Sequence, residues 1–165
     1  MNIIEALVKE LEQEAQITRK FLALVPFDKA DWAPHEKSMK LMPLSTHIAE
    51  LPSWISLGLT SDELDFATTP YEPIIANNTE DLLAVFEKSY EAGKAALVKA
   101  NEEELSNRWV LRNGEQILSD MDKYGIIRVA FSQTIHHRAQ LGSYFRLLGI
   151  PVPSSYGPTA DDQSF

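Results

Sequence analysis

From Asn2 to about Leu24, the apolar residues Ile4, Leu7, Val8, Leu11, Ala15, Ile17, Phe21, Leu22 and Leu24 recur three and four positions apart among charged neighbours. That spacing puts one apolar stripe on an amphipathic helix. Pro26, Asp28, Asp31 and Pro34 break the pattern, and the connection that follows, with Trp32 and His35 in it, is long for a compact domain. The pattern resumes near Met42 and Pro43 and carries Leu44, His47, Ile48, Leu51 and Ile55 to Gly58, with Pro52 predicting a bend in this second helix. Thr60 to Thr79, with its acidic run Ser61 to Asp65, reads as a loop holding at most one helical turn. Asn78 or Thr79 caps a third helix that buries Leu82, Leu83, Val85, Phe86, Tyr90, Ala95, Leu97 and Val98 and runs to about Ala100. Between Arg108 and Leu118 a central Asn113-Gly114 separates β-prone runs, which predicts a hairpin turn with little sheet. A fourth helix is expected from Ser119, as cap, through Asp120 and Asp122 to Leu148, ended by Gly149 and Pro151. The fold class implied is all-α, a four-helix bundle, in a single domain over residues 1–165.

Composition narrows the function classes. Apolar residues make up 44% of the chain and charged residues 24%, so a globular fold is expected rather than disorder or a membrane protein. The net charge is −9 with the basic residues scattered, which disfavours nucleic acid and anionic lipid as partners. With no cysteine, disulfides, thiolate ligands and a cysteine nucleophile are excluded, and any thiol must come from outside. No basic leader opens the chain and no apolar run reaches membrane-spanning length, which makes a cytoplasmic protein the default expectation.

The polar positions within the helices hold the candidate chemistry. At roughly 100° per residue, Ile126, Ala130, Gln133, His137, Leu141, Tyr144 and Leu148 share a stripe of the fourth helix, so Gln133 and His137 face the core. His136 lies nearer the stripe's edge with Val129 and Leu147. In the second helix His47 flanks the stripe of Leu44, Ile48, Leu51 and Ile55, on the side of Trp54. Imidazoles converging from two packed helices are how bundles build internal metal sites, because the backbones stay rigid while the ring nitrogens meet. A histidine at a helix interface is nevertheless more often a hydrogen-bonded core residue than a ligand. Gln133 reads equally well as a buried amide bonded to His137 or His47. Glu50, three residues after His47, could orient that imidazole, act as a base, or simply be a solvated helix carboxylate. Trp54 and Tyr144 read as core or as a pocket wall, and Tyr156 as a loop anchor or a residue folding back over the cleft.

The segment His137-Arg138-Ala139-Gln140-Leu141-Gly142 through Leu148-Gly149-Ile150-Pro151-Val152-Pro153 resembles the closing helix of DinB-like proteins. Trp32-Ala33-Pro34-His35-Glu36-Lys37-Ser38-Met39, followed by Leu44-Ser45-Thr46-His47-Ile48-Ala49-Glu50, and the tail Ser155-Tyr156-Gly157-Pro158-Thr159-Ala160-Asp161 extend the resemblance over most of the chain in the same order. It implies a four-helix bundle with one long crossover connection, in which three histidines bind a divalent metal, often zinc or nickel. His47 and His137 match two of those positions. Gln133 stands where the family has its third histidine, and a neutral amide oxygen is a weaker zinc or nickel ligand than imidazole.

The resemblance also implies a metal-dependent enzyme using a small thiol such as bacillithiol, mycothiol or glutathione, of the S-transferase or isomerase type, with Glu50 as the candidate catalytic residue. One alternative is a non-enzymatic or degenerate member that binds a small ligand without metal, which Gln133 favours. The weaker alternative is a metal-dependent hydrolase with Glu50 as base. In each case the expected partners are a small-molecule substrate or ligand and a second copy of the chain in a homodimer.

Overall fold

The computed structural model describes residues 2–164. Five α-helices and three short strands follow the order α1 (Ile3–Leu22), α2 (Leu41–Glu50), α3 (Ser53–Thr60), β1 (Glu63–Asp65), α4 (Thr79–Lys99), β2 (Arg108–Asn113), β3 (Gln116–Asp122) and α5 (Lys123–Leu147). The helix starts are written in the sequence. Asn2 and Glu5 form a reciprocal capping box on α1, Asn78 accepts the Asp81 N–H at 2.8 Å at the start of α4, and Asp122 accepts the Gly125 N–H at 2.6 Å at the start of α5.

Where one bent helix was expected at Pro52, the chain makes two, α2 and α3. Proline supplies no N–H to an i−4 carbonyl, so the ladder stops there. The break nests against α4 at Gly93, where an added Cβ would lie 2.5 Å from the Pro52 carbonyl oxygen. Leu7, Leu11, Phe21 and Leu22 of α1, Leu44 and Ile48 of α2, Leu82 and Phe86 of α4, and Ile127, Phe131, Leu141 and Phe145 of α5 form one continuous apolar core. Helix α1 packs on α4 and α5, and α2 and α3 pack on the same two. Consecutive helices α1 and α2 therefore stand on a diagonal, bridged by the long connection of residues 23–40, which contains a short 3₁₀ turn at Phe27–Lys29.

The all-α expectation is corrected by a three-stranded sheet of order β1-β2-β3. Strand β1 lies in the run Ser61 to Asp65 that read as loop, and it pairs parallel with β2 through Glu63↔Val110 and Asp65↔Arg112. The hairpin falls where expected, with Asn113 paired to Gln116 and Gly114 at φ +58°, a conformation open to glycine. Its second strand, however, continues to Asp122, so α5 starts at Lys123 and not at Ser119. Asp120 resembled a first-turn acid but pairs across the strands with Arg108 at 2.8 Å. Trp109 is fully buried and donates its indole N–H to the Ser61 hydroxyl at 3.2 Å, tying the sheet to the end of α3.

Candidate functional site

The seam between α2 and α5 carries His47 and His137. Their ring centroids are 4.9 Å apart, edge to face at 75°. Each ring has its Nδ1 engaged by the residue three positions further along its own helix. His47 Nδ1 lies 2.7 Å from the Glu50 carboxylate and His137 Nδ1 lies 2.8 Å from the Gln140 amide oxygen. Both partners accept, so Nδ1 carries a proton in each ring. Burial, followed by the charges of His47 and His136, pushes the His137 pKa below the ordinary 6.5 despite the opposing bond to Gln140. The ring is therefore neutral near pH 7, the protonation state in which imidazole binds a metal.

The buried face of α5 is wider than the stripe of the sequence wheel. Ile126, Ala130, Leu141 and Tyr144 are buried as expected, but Ile127, Phe131, Thr134, Arg138 and Phe145 are buried too, so Gln133 and His137 are half-buried on the flank and His136 is exposed. Arg138 stands outside the stripe that the wheel picked out. Here it is 2% exposed because Glu14, Thr18 and Tyr156 satisfy it. Gln133 sits one helical turn before His137, and the two line an open depression with Arg128, Val129, Ser132 and His136. His136 rests against His137, centroids 4.9 Å apart.

The other sequence candidates fall as follows. Glu50 is held by His47, which places it as the group that orients the imidazole. Tyr144 is buried, donates its hydroxyl to the Met39 carbonyl at 2.9 Å and meets Trp32 edge to face. Trp54 packs half-buried on the core. Tyr156 folds back, but onto Arg138 and Glu14 between α5 and α1, as an anchor of the tail. His35 is exposed and accepts the Lys37 N–H in a turn. Sequence reading missed Tyr71, whose phenol is pushed above its ordinary pKa by burial and then by the neighbouring Glu50 carboxylate. It lies in the aperiodic stretch after β1 and carries no local signal.

The chemistry of the donors decides what the site can hold. Two imidazoles from two helices, and an amide oxygen one turn before His137, are donor types that a divalent ion accepts. Among the described residues no group of three or more His, Asp or Glu side chains is placed to hold a metal, so a tight closed site is not built here.

The family model of the DinB family matches residues 1–164. Among solved structures, a DinB-like protein from Bacillus subtilis superposes with a TM-score of 0.70 at 19% identity, covering 96% of this chain and 99% of that one. YfiT from Bacillus subtilis, described as a probable metal-dependent hydrolase with an unusual four-helix bundle topology, superposes with a TM-score of 0.62 at 12% identity, covering 89% and 88%. A mycothiol-dependent maleylpyruvate isomerase gives a TM-score of 0.59 at 13% identity, covering 86% of this chain and 61% of that one. No curated protein matches the chain. At these identities the structural likeness concerns the fold.

Proposed function

We propose that this chain, which belongs to the DinB family, binds a divalent metal of the zinc or nickel class through His47 and His137, with Gln133 as a weak third ligand, and acts on a small thiol or its adduct as a transferase or isomerase. The observation that carries the reading is the pairing of two imidazoles whose Nδ1 atoms are each engaged, at 2.7 and 2.8 Å. An acceptor on the far nitrogen of a ligating ring fixes its tautomer and raises its basicity, and both histidines here have one. The fold neighbours described as mycothiol-dependent and as a probable metal-dependent hydrolase are consistent with it.

When bound, such an ion lowers the pKa of a thiol or water that reaches it. The protein's own part is positional. Glu50 holds the His47 proton on Nδ1, Gln140 does the same for His137, and burial keeps His137 neutral. The open depression beside Gln133 and His136 admits a ligand from solvent. The chain has no cysteine, so the thiol is a co-substrate.

Equilibrium dialysis of tag-free protein against zinc and nickel tests this directly. About one equivalent is expected for the wild type and less than about a tenth for His137→Ala. Gln133→His should tighten binding by about tenfold or more, since imidazole replaces an amide oxygen. Failure of the wild type to bind either metal overturns the proposal and leaves the second reading, a metal-free ligand-binding member, which the amide at position 133 favours. If metal binds, thiol conjugation of an electrophile assayed against plain ester hydrolysis separates the transferase or isomerase reading from the hydrolase one.

A further inference from the structure

A cavity of about 410 Å³ opens where the break between α2 and α3 meets α4 and the stretch before it. Unlike the depression along α5, whose walls come from one helix, this one has three walls. Glu50 and Ser53 come from the break, Ile74 from the connection into α4, and Val85, Lys88, Ser89 and Ala92 from α4 itself. Its size suits a small molecule. Its lining divides into an apolar part, Ile74, Val85 and Ala92, and a polar part with one carboxylate, one ammonium and two hydroxyls, of which Ser53 already donates to the Glu50 carbonyl at 2.7 Å.

Two features of the polar part call for a ligand. Ser89 is only 7% exposed, yet its hydroxyl has no hydrogen-bond partner among the described residues. A helical serine ordinarily bonds its own i−4 carbonyl, as Thr18 and Thr134 do here. The Ser89 hydroxyl opens to the cavity, where a ligand can take the place of the solvent that reaches it. Lys88 is exposed beside it and has no ion-pair partner among the described residues. The Glu50 carboxylate engages His47 and has the Tyr71 phenol beside it, and its side chain is 12% exposed.

We propose that this cavity binds a small zwitterion of the aliphatic amino-acid type. Its ammonium meets Glu50 and the Ser89 hydroxyl, its carboxylate meets Lys88, and its short hydrocarbon part lies against Ile74, Val85 and Ala92. A plain anion would bring its charge against Glu50 in a chain of net charge −9. A plain cation would leave Lys88 unanswered and add a like charge beside it. A neutral polyol would lack the apolar surface that the other three residues offer. Only a molecule bearing both charges and a small apolar group answers the whole lining. Because the Glu50 carboxylate also holds His47 Nδ1, an occupant reaches the histidine seam through one side chain. The site itself does not depend on any metal there.

The test is an amide ¹H–¹⁵N titration of the full chain in the presence of a chelator, so that the outcome is independent of metal binding. The probes are L-valine, isovalerate, which lacks the amine, and isobutylamine, which lacks the carboxylate. Valine should give saturable shifts confined to residues 50–53, 71–76 and 85–92, and each analogue should bind at least about tenfold more weakly. Ser89→Ala and Lys88→Ala should each weaken valine several-fold while leaving the thermal midpoint unchanged, since neither residue has a partner to lose. The proposal is overturned by the absence of saturable shifts up to about 50 mM valine. It is equally overturned by analogues that bind as well as valine, or by shifts located elsewhere.

Discussion

His137 and Arg138 are consecutive residues of α5, yet they belong to opposite kinds of polar cluster. The Arg138 guanidinium is 2% exposed, and both of its terminal nitrogens have partners. Its Nη2 lies 2.6 Å from the Glu14 carboxylate and 2.7 Å from the Tyr156 hydroxyl, and its Nη1 donates to the Thr18 hydroxyl at 2.9 Å. Tyr156 closes the ring by donating back to Glu14 at 2.8 Å. One residue earlier, His137 is half-buried with one nitrogen engaged and the other open. A closed cluster fixes the relative placement of α1, α5 and the tail and has no capacity left for a ligand. An open one keeps unsatisfied donors and acceptors where something else can meet them. Adjacent positions can differ this much because one step along a helix turns the side chain by about 100°.

The comparison breaks first at Arg138. Arg138→Ala leaves the Glu14 carboxylate enclosed without a counter-charge, and a loss of about 3–5 kcal/mol is expected in urea unfolding. Arg138→Met combined with Glu14→Leu should recover most of that loss, because removing both charges together leaves neither unpaired. A loss below about 1 kcal/mol for Arg138→Ala would mean that the cluster is hydrated in solution and not closed.

Tyr156→Phe should have a smaller effect, about 1–2 kcal/mol, since it removes one hydroxyl from two charged partners and leaves the Arg138–Glu14 pair itself intact. The same hydroxyl gives an alkaline signature. Burial, then the bond to Glu14, push its pKa up to about 12 against the opposing pull of Arg138. The folded value is raised, so its contribution to stability is complete below pH 10 and is lost as pH rises through about 12. Absorbance at 295 nm should show a late-titrating tyrosine that Tyr156→Phe removes. An unchanged titration curve would place the hydroxyl in water.

Much of the bundle was legible because helices announce themselves in several ways at once. Asn2, Asn78, Pro52 and Gly149 marked ends and breaks, and the apolar spacing marked the buried faces of α1 and α4. The sheet was less legible. Strand β1 spans three residues of an acidic run, and its partner β2 is far away in sequence, so no local period betrays a parallel pair. Asp120 misled for a specific reason: a first-turn acid and a cross-strand ion-pair acid are the same residue type near the same helix start, while Asp122 caps α5 and does not stand in its first turn. At the site, His47, His137 and Glu50 could be found as polar residues at helical spacing. Arg138 could not, because its burial depends on Glu14, Thr18 and Tyr156, which only the fold brings together. Ser89 left a fainter trace, standing in the register of Leu82, Phe86, Gly93 and Leu97 on the buried side of α4.

The smallest expected effect on stability is the most informative about function. His137→Ala should change the unfolding free energy by no more than about 0.5 kcal/mol at pH 7.5, because a half-buried ring with one exposed hydrogen-bond partner leaves neither a cavity nor an enclosed charge behind. Its folded pKa is lowered, chiefly by burial, so the unfolded chain takes up the proton first. The wild type should therefore lose stability as pH falls below the ordinary histidine value of 6.5, and the variant should lose less. The same substitution should remove metal from the protein. A residue that costs the fold little and the metal everything would be kept for chemistry, while its neighbour Arg138 would be kept for the fold. Equal destabilisation by the two alanine variants would instead make His137 one more packing residue on the seam between α2 and α5, and the proposed metal site would lose the observation on which it rests.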